Sequence, residues 1–229
     1  MLERFQDLIA DNADVFLRGI ETSLGLLGLS CPIAIMLAVP IALMRVSDRQ
    51  AVRSGALAYT YFFRGTPFLA QLFLIYYGLA QFGWIRDSAL WPVLREPWPC
   101  ALIALSLNMA AYVAELLRGG LQGVPHGERE AGVAMGMSPA VLYRRILLPR
   151  AFRIILPALG NEIILQLKST ALVSTITLLD ITGTARRIAT RTYSTDPLLV
   201  AGLIYIVLTY GIARLIRLGE RRLNRHVAP

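Results

Sequence analysis

The sequence predicts an all-α integral membrane protein. One transmembrane domain over 1–229 carries five membrane-spanning helices, with a cytoplasmic helix–break–helix loop between the third and the fourth. Three observations lead there. Hydrophobic residues make up 55% of the 229 residues, and the mean hydropathy is +0.55. Residues 24–44 contain no charge, and at ~1.5 Å per residue such a run crosses a ~30 Å hydrocarbon core. The basic residues, 22 arginines and one lysine in a chain of net charge +8, gather in alternate connections between the apolar runs. On a soluble protein that balance would point to nucleic acid. Between apolar runs the positive-inside rule accounts for it, and no nucleic-acid partner is expected.

The first eighteen residues set Glu3, Asp7, Asp11 and Asp14 against Arg4 and Arg18. That is the wrong charge for a signal-peptide n-region, and the following apolar run is too long for an h-region, so no cleaved leader is expected. The spans read as 19–44, 60–79, 100–117, 157–179 and 198–216. Arg64 stands near the start of the second and Pro67 soon after it. Cys31 and Cys100 both lie in apolar segments and read as small packing residues rather than as a disulfide.

Orientation follows from counting basic residues. With the N-terminus outside, the inner segments 45–64, 118–156 and 214–229 hold 4, 6 and 5, and the outer segments 1–18, 80–99 and 180–197 hold 2, 2 and 3. Lys168 falls within the fourth span. Fifteen against seven puts the N-terminus outside and the C-terminus inside, as five spans require. Trp84, Trp91 and Trp98 all fall in 80–99, where interfacial rings belong. Arg186, Arg187 and Arg191 count against the bias without reversing it.

The inner connection at 125–149 is the longest polar-flanked interruption. Gly136 suits the left-handed position that ends a helix. Ser138 and Pro139 read as an N-cap and a first-turn proline that restart one, and Pro149 discourages a long continuation. Such a segment either lies on the headgroups or docks another protein.

A charge near the bilayer centre costs about 2.5–3.5 kcal/mol, so polar groups inside spans should face a cavity, a partner or one another. Asn108, Tyr112 and Glu115 share one face of the third span. Glu162, Gln166, Ser169 and Thr170 share a face of the fourth, and Asn161, Lys168 and Thr175 form a neighbouring stripe. Two polar faces suit a central fourth helix walling an aqueous path. The alternative is interhelical hydrogen bonding, and Glu115 has a possible partner one turn on in Arg118. Catalysis finds little support. HExxH, CxxC and GxSxG are absent, His126 and His226 are isolated, and Asp180 has no aspartate partner within a span. Lys168-Ser169-Thr170 follows no glycine cradle. The chain reads as a transport component rather than an enzyme, without a cofactor or metal of its own. An ion gradient or a separate ATPase must then drive it.

Glu130-Ala131-Gly132, three residues, Gly136, nine residues, then Ile146-Leu147-Leu148-Pro149 resembles the cytoplasmic EAA loop of ABC importer permeases, with Gly132 replacing the second alanine. Phe63-Arg64-Gly65-Thr66-Pro67, Ala111-Tyr112-Val113-Ala114-Glu115 with Arg118-Gly119, and Val124-Pro125-His126-Gly127-Glu128 resemble the polar amino-acid permeases. The stretch Asn161-Glu162-Ile163-Ile164-Leu165-Gln166-Leu167-Lys168-Ser169-Thr170-Ala171-Leu172 is most similar to the branch importing histidine, lysine, arginine, ornithine and opines. This resemblance implies a type I ABC importer permease fold in a bacterial inner membrane. It implies four partners in kind: a second, non-identical permease chain, two ATPase subunits carrying ATP–Mg, a periplasmic binding protein, and an amino-acid substrate. Coupling to the ATPase would fall to Glu130, Ala131, Gly132, Gly136, Leu142, Ile146, Leu148 and Pro149. Leu142, Ile146 and Pro149 would supply an apolar contact there, and Arg144 and Arg145 could meet acidic ATPase residues. The expected substrate path comprises Glu162, Lys168, Ser169, Thr170, Asp180, Glu115, Asn108 and Arg64. Glu162 is the acid expected to attract a cationic substrate; in the alternative, Lys168 sets the charge for neutral or acidic amino acids.

Overall fold

The computed structural model describes residues 2–223, with side chains described over 8–220. Glu3, Arg4 and Asp7, and Arg221, Arg222, Arg225 and His226, lie outside the residues whose side chains are described. All regular structure among the described residues is helical.

Helix α1 runs over Leu2–Arg45, through Pro32 and Pro40. It starts well before residue 19 because its first turns have somewhere to bury an apolar face: Leu8, Phe16 and Ile20 pack with residues of α10 and α11. Helix α2 (Gln50–Gly65) ends at Thr66, which is extended at φ −112° and ψ 148°, as a residue before proline prefers. Helix α3 (Phe68–Phe73) follows Pro67 and loosens into a π turn at Leu74–Gly78 and a 3-10 turn at Leu79–Gln81. The expected 60–79 span is therefore broken near its start. The short helices α4 (Gly83–Arg86) and α5 (Trp91–Leu94) lead to α6 (Pro97–Gln122).

Helix α6 is the innermost. Ala101, Ala104, Ala110, Ala111 and Ala114 are fully buried, as are Ala34, Ala38 and Ala42 on α1. Small residues at four-residue spacing let two backbones approach closely where the solvent outside is lipid. Cys31, Met109 and Leu117 join this core, and Ile155, Leu159 and Leu167 add the contribution of α9. The sequence pointed to the fourth span as central because it is polar. The alanine content of the third decides otherwise. Both cysteines are free and buried.

After α7 (His126–Ala134) and a break, α8 (Pro139–Leu142) passes through a π turn at Tyr143–Leu147 directly into α9 (Leu148–Thr170). Pro149 does not end the helix. The wider turn ahead of it shifts the pairing, so that the Leu148 N–H donates to the Tyr143 carbonyl, and a π turn makes room for a residue with no N–H. A 3-10 turn at Ala171–Ile176 and a left-handed Thr177 (φ 71°) then bend the chain. Helix α10 (Ile181–Thr192) buries Ile181, Ala185 and Ile188 and exposes Arg186, Arg187 and Arg191. The arginines that disturbed the charge count are the polar face of an amphipathic helix. Helix α11 (Asp196–Leu223) closes the described chain.

Three continuous stretches, Leu8–Arg45, Pro97–Gln122 and Asp196–Glu220, are long and apolar enough to cross a bilayer. Pro139–Ile176 with Ile181–Thr192, bent by 47°, makes a fourth, and Phe68–Gln81 is apolar but shorter. The expected 157–179 span falls within this bent pair.

Candidate functional site

The loop at 126–149 is a built unit. At the end of α7 the Met137 N–H donates to the Gly132 carbonyl at 3.1 Å and the Gly136 N–H to the Val133 carbonyl at 2.9 Å. These paired bonds form a Schellman motif, which requires a left-handed residue at its centre; Gly136 supplies it at φ +70°. Ser138 has N-cap backbone geometry, but its hydroxyl makes no capping bond. Gly132 is buried, and a Cβ there would come within 2.4 Å of Leu142 Cδ1. The glycine that departs from the EAA pattern thus lets α7 lie against Leu142. Leu142, Leu147 and Val124 form a small core with Leu121, Met137, Tyr143 and Ile146 packed around it.

This placement changes which loop residues face outward. Leu142 is buried and Ile146 and Leu148 are half-buried, whereas Glu130, Ala131 and Pro149 are exposed. Leu142 and Ile146 hold the loop together from within. The exposed apolar side chains are Val133 and Met135, at 61% and 66% exposure. Sequence reading missed them because helical periodicity alone does not say which side of a short helix faces its neighbour. Arg150 Nε donates to both Glu128 oxygens at 2.9 Å, tying α7 to α9 across 22 residues. The hydrogen bond from Arg150 holds the Glu128 carboxyl below the ordinary glutamate range, its attraction adding to this against a smaller opposing effect of burial.

Several expected path residues have other work. Glu115 accepts from Arg45 Nε at 2.6 Å and from Arg118 Nε at 2.8 Å, with its side chain 12% exposed. Arg118 also donates to Gln122 at 2.8 Å. The Arg118 pairing holds, and α1 adds a second arginine that no local pattern signalled. Asp180 is fully buried and caps α10: its carboxylate accepts from Gly183 N at 2.9 Å, Thr182 N at 3.1 Å and Tyr205 Oη at 3.1 Å. An aspartate just before a helix is an N-cap signal, and here it outweighs the substrate-path reading. Asn108 donates to Gln71 Oε1 at 2.9 Å and to the Phe63 carbonyl at 3.2 Å. Gln71 in turn donates to Phe63 O at 2.8 Å, Thr66 O at 3.1 Å and Thr66 Oγ1 at 2.7 Å. Together they satisfy the carbonyls freed at the α2–α3 break. Gln166 is buried and donates to Ser30 Oγ and Leu105 O, both at 3.0 Å. Thr170 is buried and bonds Leu167 O at 2.6 Å. Asn108 and Gln166 thus bond between helices, whereas Thr170 bonds back within its own.

What remains gathers on one side of α9. Glu162 is half-buried, Asn161, Leu165 and Lys168 are exposed, and Ser169 bonds back to Leu165 O at 3.0 Å. Neither Glu162 nor Lys168 has a hydrogen bond or ion pair among the described residues. Arg64, at the end of α2, lies 5.4 Å from the Tyr112 ring centroid, and its charge reaches Glu162. Of the eight path candidates, the structure brings Glu162, Arg64, Lys168 and Ser169 to this open side. It places Glu115, Asn108, Thr170 and Asp180 in structural contacts.

Among known proteins, the nopaline transport system permease protein of Agrobacterium fabrum is 47% identical over 222 residues, which is 96% of this chain and 92% of that protein. The histidine/lysine/arginine/ornithine transport system permease protein of Escherichia coli K12 is 39% identical, covering 92% of this chain and 90% of its own. A crystal structure described as an amino acid ABC transporter with histidines superposes with a TM-score of 0.82 at 37% identity, over 93% of this chain and 96% of that one. The sequence model for the inner membrane component of binding-protein-dependent transport systems matches residues 30–225, and with the helical architecture in place, this chain belongs to that family.

Proposed function

We propose that the chain is the permease subunit of an ATP-driven, binding-protein-dependent importer whose cargo is a basic amino acid or an opine. One observation carries the reading. The helix that begins in the 126–149 loop continues unbroken from Pro139 to Thr170, about 48 Å at 1.5 Å per residue, and bears Glu162 and Lys168 on its open side. A displacement at the loop is therefore delivered to the cargo-facing side chains by one rigid element. In this reading the loop, fastened by its own core and by Glu128–Arg150, docks on an ATPase through Val133 and Met135. ATP binding must favour one permease state by differential affinity, and the loop transmits that difference.

The assembly contains a second, non-identical permease chain, two ATPase subunits that hold ATP–Mg, and a periplasmic binding protein. The chain lies in a bacterial inner membrane with its N-terminus outside and its C-terminus in the cytoplasm. The fifth crossing is contributed by the broken 60–79 region. Glu162 attracts the cation, and removal from water strengthens that pairing. Two named relatives carry nopaline and histidine, lysine, arginine or ornithine, which agrees with an acid at this place.

Uptake competition tests the cargo. Arginine should compete and glutamate should not, and Glu162→Gln should lower arginine uptake at least about tenfold while assembly with the ATPase survives. If glutamate competes instead, and Lys168→Met rather than Glu162→Gln abolishes uptake, the cargo is acidic and Lys168 sets the charge. The exposed ammonium of Lys168, without an ion pair among the described residues, is what keeps that second reading in view.

A further inference from the structure

A cleft of about 1060 Å³ opens between the α1–α2 connection and the α7–α8 loop. Its charged lining is one-sided: Arg45, Arg53, Arg129 and Arg144 against the single acid Asp48. Arg45 is already paired with Glu115. Arg53, Arg129 and Arg144 are exposed and have no ion pair or side-chain hydrogen bond among the described residues. Three guanidinium groups that line one concavity with a single acid repel one another across it, and an anion between them relieves that repulsion while accepting bidentate bonds.

The rest of the lining narrows the class of anion. Leu43 from the end of α1 and Val46 just after it, Leu121 from the end of α6, and Leu147 and Leu148 where the π turn meets α9 form an apolar wall. Leu43 and Leu121 are the last turns of two membrane-crossing helices. A soluble phosphate has no use for that wall. A molecule with an anionic head and an aliphatic stem matches both parts. Basic pockets at the inner ends of membrane helices suit such headgroups.

We infer that this cleft binds the phosphodiester headgroup of an anionic phospholipid of the inner leaflet, with Arg53, Arg129 and Arg144 on the phosphate and the aliphatic wall against the glycerol and first methylenes. The assignment rests on the orientation proposed above, which puts this end of the bundle at the cytoplasmic face. It ties the α1–α2 connection to the loop proposed to couple to the ATPase, so lipid composition would bear on how firmly that loop is held.

Native mass spectrometry of the full chain in detergent, titrated with phosphatidylglycerol or phosphatidylcholine, tests it. Each arginine near an anionic headgroup contributes about fivefold in affinity. The triple variant Arg53→Gln/Arg129→Gln/Arg144→Gln should therefore lose about a hundredfold of the preference for phosphatidylglycerol. A control, Arg186→Gln/Arg187→Gln/Arg191→Gln on α10, should keep it, and circular dichroism should show both variants equally helical. Excess inorganic phosphate should not displace the lipid. The inference is overturned if the wild-type chain shows no preference, if the triple variant keeps it, if the α10 control loses it, or if phosphate displaces the lipid completely. It is also overturned if saturating ATPase subunit expels the lipid, since the cleft would then belong to a protein partner. Absence of any ATPase association with the wild-type chain would count against the transport reading alone, because lipid preference is read without the ATPase.

Discussion

Glu115, Asp180 and Glu162 all lie within apolar stretches, and each meets the cost of a charge in a different way. Glu115 sits between two guanidinium groups, and Asp180 is wrapped by two backbone N–H groups and a phenol. Glu162 makes no hydrogen bond or ion pair among the described residues and has only the charge of Arg64 within reach. A carboxylate left without a partner in a membrane protein needs one from outside, which is the reason to read it as a cargo contact. The contrast can be measured. Asp180→Ala removes an N-cap and strands three donors, the N–H groups of Thr182 and Gly183 and the Tyr205 hydroxyl, so the thermal midpoint should drop by an amount corresponding to about 1–3 kcal/mol. The arginine-over-glutamate preference of the remaining uptake should be unchanged. A stable Asp180→Ala protein with altered cargo preference would return Asp180 to the path. Glu128 gives a pH signature. Because its folded-state carboxyl is held below the ordinary glutamate range, the Glu128–Arg150 tie contributes fully above that range. It is lost only as the pH falls through the depressed folded value. A spin label on Met135→Cys should stay ordered at mildly acidic pH and loosen only in stronger acid, and Glu128→Gln should abolish that transition. A label that loosens at the usual glutamate pKa would contradict the tie.

Gly136 and Pro149 decide how the loop and α9 act as elements. Gly136 combines φ +70° with an N–H that donates to Val133; proline can supply neither. Gly136→Pro should therefore break the Schellman turn and uncouple hydrolysis from uptake. Binding-protein-stimulated ATP hydrolysis alongside full transport would contradict this. The Gly136 break, the proline restart and the loop's spacing were legible in the sequence, since each rests on a local backbone preference. So were three of the spans, because a long apolar run needs no neighbours to be recognised. The continuation through Pro149 was not legible. A π turn is a bargain between the helix and its surroundings, and nothing in Tyr143-Arg144-Arg145-Ile146-Leu147 announces it. Nor were the partners of Glu115, Asn108 and Asp180. Arg45, Gln71 and Tyr205 stand 70, 37 and 25 residues away, so only the packed bundle brings them together. For the polar stripe on the fourth span, periodicity gives a face and not what the face meets. Burial divided it, with Gln166 and Thr170 inward and Glu162 towards the open side.

For the molecule as a whole, the proposed orientation puts the loop and the arginine-lined cleft at one membrane face and the α10 arginines at the other. Met135 and Tyr193, at 66% and 95% exposure, mark the two ends. In intact cells, Tyr193→Cys should react with a membrane-impermeant thiol reagent and Met135→Cys should not, with the pattern reversed in inside-out vesicles. The buried Cys31 and Cys100 leave little background. Labelling of Met135→Cys from outside would invert the orientation. The motion proposed for this chain is driven by a separate ATPase acting on the loop and delivered to Glu162. Its most direct test is arginine uptake into proteoliposomes containing this chain, its partner permease, the ATPase and the binding protein, with ATP inside and the proton gradient collapsed by an uncoupler. Full uptake that stops when ATP is omitted is the expected result. Uptake that persists without ATP and disappears with the uncoupler would contradict it.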